Sequence, residues 1–280
     1  MGPQTDEIRR LFTRIAGRYD LLNRALTFGL DLSWRRRALA LLEAPTRVLD
    51  LATGTGDLAL GLARRFPRAQ VTGLDLTPAM LAIARRRIAR AGCAARVAFM
   101  EGDATRLSFA DAAFDTVTCA FGFRNFPDPA AALAETARVL VPGGTLLVLE
   151  FFRLESPFCA WATAGWLRLV APLLARGTRA DYAYLRTSIA RMCSARTFAS
   201  WAHDLGRSIS REAFYLPACH CLKFRKEPGG RAALVAAAPA PGPFRSEVAR
   251  RHAGGPRLSR PYPRRAPFER PTPSPLLPSA

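Results

Sequence analysis

VLDLATGTGDLAL, residues 48–60, is the stretch on which the fold turns. The apolar run over 47–52, set off by Pro45, reads as a strand buried on both faces, as parallel strands are. A Thr-Gly-Thr-Gly turn follows, and helical spacing takes over from Asp57 to about Phe66. Strand, glycine turn and helix in that order open a doubly wound α/β sheet, whose ligand sits where the strands end.

The stretches that follow keep the alternation. Strands are predicted over 70–76, 96–104, 114–123 and 145–152. Helices are predicted over 77–92, with Thr77 as cap, Pro78 in the first turn and Gly92 at the end, and over 129–144, stopped by Pro142 and Gly143. Strands that alternate with helices imply a mostly parallel sheet covered on both faces. Upstream, residues 7–43 show helical spacing of apolar and basic residues, broken at 28–31. Downstream, helices are expected over 158–175, 181–192 and 195–206, and two closing antiparallel strands within 208–226. From Pro228 the composition changes: twelve of the 22 Pro fall in the last 53 residues, beside nine Arg. Such a segment buries too little apolar surface to offset its ordering entropy, so 228–280 is expected to be a disordered basic tail.

Gly54-x-Gly56-x-x-Ala59 between strand and helix fits a dinucleotide fingerprint, with Asp75 about where a ribose-binding acid belongs. Two acids argue for a different ligand. Asp57 opens the helix, where the N-terminal field favours an anion from the ligand. A second acid, Asp103, ends the third strand. Ribose and adenine without phosphate, carrying positive charge, suit this arrangement, and S-adenosylmethionine is such a molecule. Gly54, Thr55 and Gly56 would let the backbone approach its methionine part. Asp75 would accept from the ribose hydroxyls, Asp103 and the Ala104 backbone would meet the adenine, and Asp50 would orient the loop or the amino group.

The order VLDLATGTGDLA, GLDLTPAMLAIAR, GDATRLSFADAAFD, FGFRNFPD, ARVLVPGGTLLVLEF resembles the class I S-adenosylmethionine-dependent methyltransferases. More narrowly it resembles the C-methyltransferases of ubiquinone and menaquinone biosynthesis. FTRIAGRYDLLNRALTFGLDLSWRR near the N-terminus and DYAYLRTSI at 181–189 are similar to further elements of that family. The likeness spans roughly 8–227. It implies a Rossmann-like seven-stranded domain over 1–227, made of a helical flap (1–44), a cofactor-binding core (45–152) and substrate lid helices (153–206). The sequence departs from the family at Ala120, where Ser often precedes Phe-Gly, and in the closing YLPACHCLKFRK.

The resemblance implies methyl transfer to a ring carbon of a reduced polyprenyl quinone, from either pathway. Arg124 and Asn125 would face the methyl donor. Arg124 would stabilise a developing phenolate or hold a proton-accepting water, unless it pairs with an acid such as Asp128, and Asn125 would bond a quinol oxygen. Tyr19, Asp20 and Asn23 would sit in the flap, and Tyr182 and Tyr184 at the substrate mouth. Another lipid or a small phenol as acceptor, and an RNA-associated methyltransferase, are the alternatives.

The formal charge of +19 on 280 residues favours an anionic partner. The tail arginines have few aromatics among them, which speaks against nucleic acid. An anionic membrane surface fits better, met through the apolar 158–175 stretch with Trp161 and Trp166. No apolar run is long enough to span a bilayer and the polar start is no signal peptide, so a cytoplasmic protein peripheral to the membrane is expected. A homodimer is compatible with all of this. Six cysteines are too sparse for a disulfide scaffold. Cys219-His220-Cys221 is expected to be an ordinary strand rather than a metal site, because alternate strand residues face opposite ways.

Overall fold

In the computed structural model, which describes residues 3–154, 156–165, 168, 179–202, 208–213 and 219–227, the strand that begins at Arg47 lies at the middle of the sheet. This is β1 (Arg47–Leu51), buried after its first residue. On one side it pairs in parallel with β2 (Gln70–Asp75), which pairs with β3 (Val97–Glu101). On the other it pairs in parallel with β4 (Phe114–Ala120), then β5 (Leu140–Phe151). Two later strands, β6 (Ser208–Ala213) and β7 (Cys219–Arg225), complete the order β3-β2-β1-β4-β5-β7-β6, with β7 antiparallel to both neighbours. The strand order reverses at β1 and β4, so their carboxyl ends splay apart and leave a crevice.

Three helices precede the sheet: α1 (Pro3–Ile15), α2 (Tyr19–Thr27) and α3 (Leu30–Ala40). The core connections are α4 (Asp57–Arg65), α5 (Pro78–Arg90) and α6 (Pro129–Val139). Later come α7 (Pro157–Gly165), α8 (Arg179–Arg191) and α9 (Ala195–Trp201). The core has two main apolar clusters, one for each sheet face. Trp34, Leu62, Ile88, Cys219 and Cys221 belong to one. Leu133, Val139, Phe198, Leu222 and Phe224 belong to the other. Cys219 and Cys221 share a face while Leu222 points opposite, the strand alternation expected of this segment.

Several boundaries move for tertiary reasons. α6 is capped at its start, where the Asp128 side chain accepts from the Ala131 N–H at 3.0 Å. It ends at Val139 instead of running to Gly144. Leu140 already pairs with Phe114, and Val-Pro-Gly-Gly becomes the irregular start of β5. Gly143 takes the left-handed backbone there (φ 79°) and donates to the Lys226 carbonyl at 2.7 Å. Lys226 Nζ in return donates to the Ala137 and Leu140 carbonyls, closing the helix end that the sequence offered no cap for. Thr77 does sit at the start of α5, but its side chain makes no cap bond. Instead its N–H is taken by Asp75. The helix expected over 158–175 is described as α7 to Gly165; apart from Arg168, the rest of it, with Trp166, and the tail 228–280 lie outside the described residues, as does all of the second unit into which the chain divides, 239–280.

Candidate active site

The crevice at the carboxyl ends of β1, β2 and β4 is a cleft of about 670 Å³. Asp75, Asp103, Gly54, Tyr19 and Asn125 line it, with Phe12 of α1 at its mouth side. Four residues around it hold left-handed backbone: Ala52 (φ 50°), Gly54 (56°), Gly56 (82°) and Phe121 (60°). For Ala52 and Phe121 this conformation is strained, and strain of this kind gathers at functional sites. The two glycines do different work. A Cβ on Gly54 would point at nothing nearer than the Tyr19 ring at 3.9 Å, so this backbone is bare toward the cleft. A Cβ on Gly56 would press on Ala84 at 3.1 Å, so Gly56 lets α4 approach α5.

Asp75 ends β2 and is buried, 9% exposed. Its Oδ2 accepts from Gly54 N–H at 2.8 Å and its Oδ1 from Thr77 N–H at 2.8 Å. Burial raises its pKa; the two backbone donors oppose that. The acid therefore ties the glycine turn to the start of α5 while it faces the cleft. Asp103 Oδ1 accepts from both the backbone and the hydroxyl of Thr105, and buried Ala104 follows it in the lining. Asp50 is buried below the turn. Its two oxygens accept from Thr53 Oγ1 at 2.6 Å and Thr118 Oγ1 at 2.7 Å. Burial raises its pKa to about 6. Of the two roles considered for Asp50, orienting the loop is the one its bonds describe.

Thr55 offers the cleft side only its backbone. Its hydroxyl donates to Asp20 Oδ1 at 2.6 Å, so the side chain is turned to α2 and not to a ligand. Asp57 also behaves differently from a lone acid at a helix start. It accepts from Arg24 and Arg87, each at 2.6 Å, and Arg35 lies 4.0 Å away. Burial would raise its pKa, but the three arginines outweigh burial and hold it low. A carboxylate so thoroughly compensated does not by itself repel a pyrophosphate, and that reason for preferring a nucleoside falls. A better one replaces it. Among the described residues, no Arg or Lys lines the large cleft, whereas two carboxylates do, in a protein whose charge is +19. At the glycine turn an anionic dinucleotide would meet only Arg35, which is already committed to Asp31 and Asp57; a cationic nucleoside in the cleft would find two acids.

Arg124 and Asn125 occupy the 3₁₀ turn after β4. Asn125 lines the cleft, its Oδ1 accepting from Tyr184 Oη at 2.9 Å and its amide donating to the Phe121 carbonyl. Arg124 does not line it. The guanidinium donates to Glu150 Oε1 and to the Phe121 carbonyl, both at 2.7 Å, beside the stacked rings of Phe121 and Phe151. The partner acid is thus Glu150, not Asp128, which is occupied as the α6 cap. Glu150 is fully buried and also accepts from the Arg124 and Phe151 N–H groups. A direct contact of Arg124 with a phenolate gives way to a positioning role, because its charge is matched by a buried acid. Its field still reaches the cleft: burial raises the Tyr19 and Tyr184 phenols, and Arg124 is the first charge opposing it at both.

Tyr19 packs edge-to-face on Phe12 at 5.9 Å, and Tyr184 does so at 6.2 Å. Asn23 lies one turn along α2 from Tyr19, lowers the pKa of that phenol, and does not line the cleft. Tyr182 falls in α8, its side chain outside the described residues. Glu150, Arg24 and Arg87 were missed by sequence reading. Glu150 had a signal, a lone acid inside the apolar run TLLVLEFF. The two arginines had none, since each gains its meaning from acids about 30 residues away.

The sequence model of the ubiE/COQ5 methyltransferase family matches residues 1–215. A demethylmenaquinone methyltransferase of Thermus thermophilus is 62% identical over 143 residues, which cover 50% of this chain and 64% of that protein, just under two thirds of its length. A demethylmenaquinone methyltransferase of Thermotoga maritima is 40% identical over 223 residues, 77% of this chain and 94% of that one. Among solved structures, an S-adenosylmethionine-dependent methyltransferase of Thermotoga maritima superposes with a TM-score of 0.56 over 78% of this chain and 99% of its own, at 20% identity. That likeness carries the fold, the Rossmann-like class I methyltransferase sheet.

Proposed function

Because this chain belongs to the ubiE/COQ5 methyltransferase family, which is S-adenosylmethionine-dependent, we propose that it methylates a ring carbon of a reduced polyprenyl quinone, demethylmenaquinol foremost. The observation that carries the reading is the cleft just described: two carboxylates, a bare glycine backbone and no lining cation among the described residues. These residues fit a cationic nucleoside. Asp75 would hold its ribose, Asp103 and Ala104 its adenine, and Gly54 its methionine part. When bound, the cofactor supplies an electrophilic methyl group on sulfur.

The protein's own contribution is placement and exclusion of water. α1 and α2 form a helical flap that puts Phe12 and Tyr19 over the cleft. Glu150 and Arg124 fix the turn that presents Asn125. Tyr184 reaches that same Asn125 from α8, so the lid closes onto the residue nearest the acceptor oxygen. A quinol hydroxyl would compete with Tyr184 for Asn125 Oδ1, and the raised phenol pKa values keep both tyrosines as donors at neutral pH. The ring proton displaced after methylation passes to a carboxylate of the wall or to a water admitted to the cleft; among the described residues no histidine lines it.

A polyprenyl quinol resides in a bilayer, so the enzyme must work at its surface. Phe158 and Trp161 on α7 are 74% and 73% exposed, one turn apart with ring centroids at 6.3 Å. They suit the headgroup boundary, as does the basic charge of the chain. Among the described residues no helix is long and apolar enough to cross a membrane. The deciding experiment incubates the full chain with labelled S-adenosylmethionine and short-chain reduced demethylquinones of the menaquinone and ubiquinone ring types. Demethylmenaquinol should gain one methyl mass. If neither ring type gains mass while the nucleoside binds, the assignment fails.

A further inference from the structure

The turn between α2 and α3 exposes more apolar surface than its position requires. Phe28 is 66% exposed, Leu21 62% and Leu32 44%. Phe28 also holds a left-handed backbone, φ 52°, followed by Gly29 at φ 73°. An aromatic residue adopts that conformation reluctantly, whereas Gly or Asn adopts it readily. The fold therefore keeps a strained residue in order to hold a phenyl ring at a surface tip. The tip is also rigid. Just behind it Asp31, 1% exposed, is bonded by Arg24, by Thr27 Oγ1 and by Arg35 at 2.6 Å. Arg18, before α2, and Arg36, within α3, are exposed, and no acid between 17 and 37 is exposed, Asp31 being buried and Asp20 paired with Arg87. An apolar tip flanked in sequence by basic residues is complementary to an anionic bilayer and to no ordinary aqueous surface.

We propose that this turn inserts into an anionic lipid surface, with Phe28 and Leu32 entering the headgroup boundary and Arg18 and Arg36 meeting the lipid charges. The placement has a use that rests on the quinol reading. Leu21 and Tyr19 are two residues apart in α2 and so lie on opposite sides of the helix. One side faces outward while Tyr19 lines the cleft. Docking the outer side would bring the flap and the cleft behind it against the membrane that holds the substrate.

The test compares the full chain with a Phe28→Asn, Leu32→Ser variant. Partition is measured on vesicles of phosphatidylcholine with and without phosphatidylglycerol, at physiological ionic strength. The variant should bind the anionic vesicles about tenfold or more weakly, the loss expected for withdrawing two apolar side chains from a lipid boundary. Its melting temperature should equal or exceed that of the unaltered chain, because Asn relieves the backbone. A purely structural role would lower both together. Methyl transfer to a short-chain soluble quinol should be unchanged, and transfer to a long-chain quinol in vesicles should fall. Equal vesicle binding by both proteins, or no binding by the unaltered chain, overturns the proposal. So does a change in oligomeric mass with vesicle binding intact, which would make the tip a contact between copies. If the unaltered chain transfers no methyl group to any quinol and still binds anionic vesicles more tightly than the variant, the quinol reading is overturned and this one stands.

Discussion

Asp50 is an acid kept where a charge is costly, and its titration is measurable. The folded protein takes up the proton at about 6, whereas the group ordinarily titrates at 3.8. Between those values the folded state holds the extra proton, so stability falls as pH rises through about 6 and is lowest, for this group, above it. A shift of this size corresponds to roughly 3 kcal/mol at most. Asp50→Asn should remove that dependence. Urea midpoints measured from pH 4 to 7.5 should converge for variant and unaltered protein at the acid end and separate, in favour of Asn, at the neutral end. Parallel curves would show that burial does not set this titration. Arg124 teaches the complementary lesson. Its place after β4 was legible, but the direction of its side chain was not, because Glu150 reaches it from β5, 26 residues on.

Among elements, the turn after β4 carries a tight steric demand. A Cβ on Gly122 would lie 2.6 Å from Cys119 Sγ and 2.7 Å from Ala52 Cβ. Overpacking of this kind costs about 1–3 kcal/mol. Gly92→Ala makes a useful comparison: its φ of 69° is unfavourable for Ala, yet nothing lies within 4 Å of the new methyl, so only about 1 kcal/mol of backbone strain applies. Chemical unfolding should rank Gly122→Ala as the more destabilised. It should also be the one that loses methyl transfer, since its turn holds Asn125. If Gly92→Ala loses as much activity, the turn is not the sensitive element. The same element scale explains β5. Val-Pro-Gly-Gly looks like a helix stop followed by a loop, and pairing with β4 on one side and the end of β7 on the other draws it into the sheet.

For the whole molecule, the significant feature is how the N-terminal helices are fastened. Arg24 joins Asp31 to Asp57, and Arg87 joins Asp57 to Asp20, so α2, α3, α4 and α5 share one charge network. An apolar cluster of Ile15, Leu22 and Met80, with Leu185 and Ile189 packed against it, backs it up. The network ties these N-terminal helices to α4 and α5. Arg24→Met keeps the stem but leaves Asp57 short of one partner, which should cost about 1–3 kcal/mol given partial solvent access. Limited proteolysis should then cut within 1–44 faster, and stopped-flow measurements should show S-adenosylmethionine leaving faster. Unchanged release would mean that the flap opens by another route.

Hydrophobic periodicity and punctuation belong to neighbouring residues, so the alternation of strands and helices from β1 to α6, the glycine turn, and the acids at the strand ends could all be read along the chain. The elements 8–227 also carried the family likeness, because motif order survives without coordinates. What needed the folded chain was every pairing across distance. Glu150 with Arg124, Asp57 with its arginines, Tyr184 with Asn125 and the strain at Phe28 each depend on which elements meet. The absence of cations along the described cleft wall, in a chain this basic, is likewise a property of side-chain direction, and only packing decides which way an arginine points.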